Sequence, residues 1–113
     1  MGKKIFLAMF LCAFFLNAHA PKSVELSYDE AAAALSVKVL HRVGNPEKHF
    51  VKKITVYSGK ELLAEKTYER QETAAAQTEI FLFVGKPLAR GMALTVTAYC
   101  SISGKRSADL EWK

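Results

Sequence analysis

The sequence predicts an all-β domain, an immunoglobulin-like β-sandwich of about seven antiparallel strands. Helical periodicity is nearly absent, and short β-rich runs dominate. Turn residues interrupt those runs at intervals of roughly ten residues, the rhythm of a two-sheet sandwich. The chain has 113 residues, and the part that follows an apolar leader is close to the usual size for such a domain. A small closed barrel is the competing architecture.

The leader comes first. Lys3 and Lys4 form a basic start, Ile5 to Leu16 is an almost unbroken apolar run, and Ala18-His19-Ala20 places small residues where a signal peptidase reads. Residues 1–20 are therefore expected to be a signal peptide, and residues 21–113 the folded domain. The run is short for a membrane span and no second one follows, so no membrane association is expected after processing. A cut after Ala20 leaves Pro21 first, a rigid substrate for the peptidase; a cut after Ala18 leaves His19 as the new N-terminus. The expected location is periplasmic or secreted.

The strands follow in order. Ser23 to Tyr28 is the first, and Asp29-Glu30 with the alanines after it forms a link, although Glu30 to Leu35 would also suit a helical turn. From Leu35 to Arg42 the chain alternates, with Leu35, Val37, Val39 and His41 on one face. Gly44-Asn45-Pro46 breaks it, and Phe50 to Ser58 is the third strand. Gly59-Lys60 turns it into a fourth, Glu61 to Tyr68, as a tight hairpin requires. Glu69 to Ala76 is a loop. Gln77 to Val84 is apolar on both faces around Ile80, Phe81, Leu82 and Phe83, which suits an interior strand. Pro87 and Gly91 bracket a further loop. Met92 to Ile102 alternates again, and Ser107 to Trp112 closes the domain.

The formal charge is +5, and it falls to +3 once Lys3 and Lys4 leave with the leader. The cations are scattered among glutamates, the pattern of solvated strand faces and not of a nucleic-acid footprint. No nucleophile elbow, phosphate loop or paired-carboxylate segment is present, which leaves hydrolase and nucleotide chemistry without support. Tyr57, Tyr68, Tyr99 and Trp112 suit the core or the sheet edges.

Cysteine is the informative residue. Of two, Cys12 lies in the leader, and the mature domain keeps Cys100 without an internal partner. Such a thiol is buried, reactive, metal-bound or paired between chains. Cys100 shares its alternation face with Leu94, Val96, Ala98 and Ile102, so a small buried hydrophobe is one reading. His41 and His49 flank the loop 42–48, and a sandwich rim that also receives Cys100 would bring two imidazoles and a sulfur together. That donor set suits iron, zinc or copper and not calcium or magnesium.

The run His41-Arg-Val-Gly-Asn-Pro-Glu-Lys-His49-Phe-Val-Lys-Lys-Ile-Thr-Val-Tyr57, with the later Ala98-Tyr99-Cys100-Ser-Ile-Ser103-Gly104, resembles the iron-binding domain of superoxide reductases (desulfoferrodoxins and neelaredoxins). The resemblance extends from about Pro21 to Trp112. It implies ferrous iron with four equatorial histidines and one axial cysteine on an immunoglobulin-like sandwich, with superoxide as substrate and an external electron donor. Carried over residue by residue, it makes His41 and His49 equatorial ligands and Cys100 the axial thiolate. Ser103 stands where the family has a late histidine, Arg42 follows His41 where the family has proline, and no mature segment supplies the family's early histidine. With three of five ligands, the chain is expected to be a degenerate-site relative; superoxide reduction needs donors that it lacks, and no catalytic residue is assigned.

Two other readings stand beside this one. The first is a non-enzymatic sandwich module that has lost the metal and serves binding or assembly. The second is a copper site built on an N-terminal His19, whose amine and ring would both ligate.

Overall fold

The computed structural model describes residues 20–86 and 88–112. Most of the expected leader, with Cys12 and His19, lies outside the described residues, as does Pro87. Seven strands follow in chain order: β1 Ser23–Asp29, β2 Ala34–Leu40, β3 Val51–Ser58, β4 Glu61–Thr67, β5 Ala76–Leu82, β6 Ala93–Cys100 and β7 Lys105–Glu111. They form a three-stranded sheet, β1-β2-β5, and a four-stranded sheet, β4-β3-β6-β7, with every pair antiparallel.

Local chemistry explains the turns. Asp29 Oδ1 accepts from the backbone N–H groups of Ala31 and Ala32 at 3.1 and 3.3 Å, which closes the β1–β2 link as a tight turn. The stretch that would also suit a helical turn is therefore a hairpin connection, and β2 resumes at Ala34. Gly59 adopts φ +61° at the first position of the two-residue β3–β4 turn, where a left-handed backbone matches the twist of the flanking strands.

The alternation of β2 is realised. Leu35, Val37 and Val39 are buried between the sheets, and Ser36 and Lys38 face out. Ile54 and Val56 of β3, Leu94, Val96 and Ala98 of β6, and Phe81 of β5 complete the core. The three strands that carry most of it, β2, β3 and β6, each have a neighbour on both sides, so their inner faces are the best shielded. β1 packs alongside β7 and closes one flank. Pro21, just ahead of β1, is fully buried, and its carbonyl accepts from Arg106 Nε at 3.1 Å.

Two expectations are corrected. Among the described residues β5 is an edge strand and not an interior one: it pairs with β2 alone, and the Gly59-Lys60 hairpin keeps β4 on β3. Phe81 turns inward, while Ile80 and Leu82 are 59% and 66% exposed. Ile102 does not share the inner face of Cys100. The chain turns after Cys100, whose N–H donates to the carbonyl of Gly104 at 3.0 Å, and Ile102 is left exposed.

Candidate metal centre

Three strand ends meet at one rim of the sandwich. His41 directly follows β2, His49 comes two residues before β3, and Cys100 is the last residue of β6. β2 belongs to one sheet and β3 and β6 to the other, so the three side chains face one another across the open end of the core.

The loop between the histidines is folded back by local bonds. Asn45 accepts at its carbonyl from the N–H groups of Lys48 and His49, at 3.1 and 2.9 Å, and its side chain accepts from Glu47 N–H at 3.0 Å. Pro46 sits at the second position of that turn, where its fixed φ is suited. The β3–β6 register then sets the height of the two later donors. Val51 pairs with Cys100, with a bulge between Val51 and Lys53. Beyond that pair, Phe50 N–H donates to Ser101 Oγ at 3.1 Å and Ser101 N–H donates to Phe50 O at 2.8 Å. His49 is thereby held level with the sulfur.

The ligand atoms of His41, His49 and Cys100 all lie within 4.8 Å of one another. His49 Nε2 and Cys100 Sγ share a hydrogen bond at 3.1 Å. The two imidazoles meet edge to face, their centroids 4.8 Å apart at an interplanar angle of 88°. Cys100 is 2% exposed and His41 is equally buried, while His49 is half-buried. Cys100 Sγ also accepts from Ile102 N–H at 3.5 Å. Among the described residues no other group of three or more His, Cys, Asp or Glu side chains converges in this way.

The donor set and its spacing fit a transition ion. Such an ion lies about 2.1 Å from a ring nitrogen and about 2.3 Å from a thiolate sulfur. Two such bonds at a right angle separate the donors by about 3.1 Å, which the His49–Cys100 pair matches. Laid end to end they reach about 4.4 Å, so the widest separation, 4.8 Å, must close by at least about half an ångström for one ion to touch both donors. Soft sulfur with borderline nitrogen admits iron, zinc or copper.

Cations surround these donors. A depression of about 150 Å³ beside His41 is lined by Lys22 and Arg42, and one of about 300 Å³ beside Cys100 by Lys52, Ser103 and Lys105. Lys53 and Lys105 also lie over the Tyr99 ring, at 4.7 and 5.8 Å from its centroid. Such a rim raises the local concentration of anions.

Sequence reasoning named the three donors, and the structure brings all three together. It missed Gln71, which is 2% exposed in the 68–75 loop and bonds to His41 Nδ1 at 2.8 Å. A single glutamine in a polar loop carries no signal in the sequence; only the fold reveals that it points inward. Ser103 is exposed and lines the depression beside Cys100.

No family model matches the chain, and no curated protein does. Among solved structures, a point variant of superoxide reductase (neelaredoxin) from Ignicoccus hospitalis superposes with a TM-score of 0.51 at 20% identity, covering 82% of this chain and 80% of that one. The parent protein from the same organism gives 0.48 at 22% identity over 84% and 80%, and a superoxide reductase in its oxidized state gives 0.48 at 14% over 84% and 88%. The first of these shows a shared fold: this chain is a seven-stranded antiparallel sandwich of the kind found in superoxide reductase.

Proposed function

We propose that this protein is an exported, superoxide-reductase-like metal-binding sandwich that holds iron through His41, His49 and Cys100. One observation carries the reading: three donors from three separate strand ends, two of them on opposite sheets, lie within 4.8 Å of one another. The fold shared with a superoxide reductase agrees with it.

Ferrous iron bound there would supply one electron to superoxide, with protons from water and an external donor to restore the iron. The chain's own residues have simpler tasks. Cys100 donates electron density through its sulfur, and Ile102 N–H moderates that density. Lys52 and Lys105 draw anions toward the rim. His41 and His49 complete the donor set. Three donors are two fewer than the resemblance implies, so metal binding is the primary reading and superoxide reduction the secondary one.

The donor set itself favours one alternative. Two imidazoles and a thiolate are also the equatorial ligands of copper electron-transfer centres. Untagged protein loaded anaerobically with ferrous iron, zinc or cuprous copper and then desalted distinguishes these. Retention of about one iron per chain, lost in Cys100→Ala, is the expected result. Preferential retention of copper selects the alternative. Retention of none of the three leaves a metal-free binding or assembly module. Export rests on the basic start and apolar run of residues 1–20, and an intact mass from fractionated cells that still includes those residues would refute it.

A further inference from the structure

We propose that Gln71 is the positioning residue of this centre: its side-chain amide holds the His41 proton on Nδ1 and so makes Nε2 the atom that can ligate. The tautomer is a property of the metal-free chain; its consequence for affinity rests on the metal-binding reading above.

The orientation of the amide follows from its partners. Gln71 Nε2 lies 2.7 Å from the carbonyl oxygen of His41 and 2.8 Å from that of Thr73. Carbonyl oxygens only accept, so the amide nitrogen must be the atom that faces them. At the other end, the backbone N–H of Val51 lies 3.1 Å from Gln71 Oε1. A backbone N–H only donates, so an oxygen must face it. Rotating the amide by half a turn would set donors against a donor and an acceptor against acceptors. Both ends therefore require the same orientation.

With the oxygen so placed, the nature of the His41 contact is decided. Nδ1 lies 2.8 Å from that oxygen, and an amide oxygen cannot donate. Nδ1 must carry the proton, and in a neutral imidazole Nε2 then holds the lone pair. The amide uses its whole capacity, two donors and two acceptor sites, and it is buried away from competing water. A ring nitrogen that binds metal is commonly oriented in this way by a bond from its other nitrogen.

The same side chain joins the pieces of the rim. It reaches the end of β2 through His41 and the start of β3 through Val51, and its backbone N–H donates to Pro46 O at 2.9 Å, inside the loop that delivers His49. Tautomer control and loop support are thus both present, and a test must separate them.

Two variants do so. Gln71→Met removes the acceptor and both donors. Gln71→Glu removes the donors but keeps an oxygen for Nδ1–H. Nitrogen-15 NMR of metal-free protein reports which nitrogen of each neutral ring carries the proton, and His49 is the internal reference. The parent is expected to show His41 protonated at Nδ1, Gln71→Glu to retain that state, and Gln71→Met to lose it. Cobalt(II) titration should then show a loss of about 10- to 100-fold for Gln71→Met, with a smaller loss for Gln71→Glu. A parent protonated at Nε2, or an unchanged tautomer in Gln71→Met, overturns the proposal. Equal weakening of cobalt binding in both variants overturns the link to affinity and assigns Gln71 to loop support. If the parent binds no metal while the NMR result holds, the metal reading fails and tautomer control stands.

Discussion

His49 Nε2 and Cys100 Sγ lie 3.1 Å apart although 51 residues separate them in the chain. The β3–β6 register is the cause, since Val51 pairs with Cys100 and the chain has only two more residues to travel to reach His49. Packing and ligation place different demands on the sulfur, and one substitution separates them. Cys100→Ala should cost only about 1–2 kcal/mol in urea unfolding of the metal-free protein, the usual loss for a small buried group. It should also remove the thiolate-to-cobalt charge-transfer absorption and weaken cobalt binding by more than about 100-fold. A parent protein whose cobalt spectrum shows no sulfur band would place the ion elsewhere.

Legibility of the sequence followed the physics of each segment. β2 was readable because it is central in its sheet, so its inward residues must be apolar and its outward ones need not be. The β3–β4 hairpin was readable because Gly59 is the residue its turn demands. β5 was misread because Ile80, Leu82 and Phe83 are apolar whichever way they point, and pattern alone cannot show that no strand lies beyond. For the site, His41, His49 and Cys100 were visible as residue types flanking strand ends. Their convergence was legible only through the family resemblance, because spacing alone does not say which rim each strand end reaches. Gln71 was invisible, because its role exists only once four segments have met.

Tyr68 links the two sheets at the open flank. Its hydroxyl donates to Glu79 Oε1 at 2.7 Å. Burial, then the bond to Glu79 and the charges of Glu79 and Glu72, push the phenol well above its ordinary range. The raised value applies to the folded state, so the unfolded chain gives up this proton first as pH rises. The stabilisation is fully present below about pH 10, the ordinary phenol value, and is lost progressively above it. Tyr68→Phe should lose about 1 kcal/mol near neutrality and show a shallower alkaline decline than the parent. Urea midpoints measured from pH 8 upward test this; parallel curves for the two proteins would refute it.

Gly104 closes the loop that carries Cys100. It has φ +88°, a left-handed backbone that an L side chain adopts only under strain, so Gly104→Ala should destabilise the domain by about 1–2 kcal/mol. The loop should also loosen, because Cys100 N–H donates to the Gly104 carbonyl. Gly85 has open space around it and no positive φ, so Gly85→Ala is the matched control and should change stability by less than about 0.5 kcal/mol. Equal effects at the two positions, by chemical denaturation, would contradict the assignment.

Ser103 stands three residues after Cys100, in the same closed loop, and lines the depression beside the sulfur. The resemblance places a histidine at this position, and a serine hydroxyl is a poor neutral ligand for a ferrous ion. Ser103→His should therefore add a third imidazole to the existing donors and tighten cobalt or ferrous binding by at least about tenfold, which corresponds to about 1.4 kcal/mol. Because the new ring would share one ion with Cys100, the gain should vanish in the Ser103→His, Cys100→Ala double variant, a coupling that a double-mutant cycle measures directly. A gain of the same size in both backgrounds would mean that the introduced histidine binds metal at a separate surface position. No gain in either would mean that the loop does not bring residue 103 within reach of the ion.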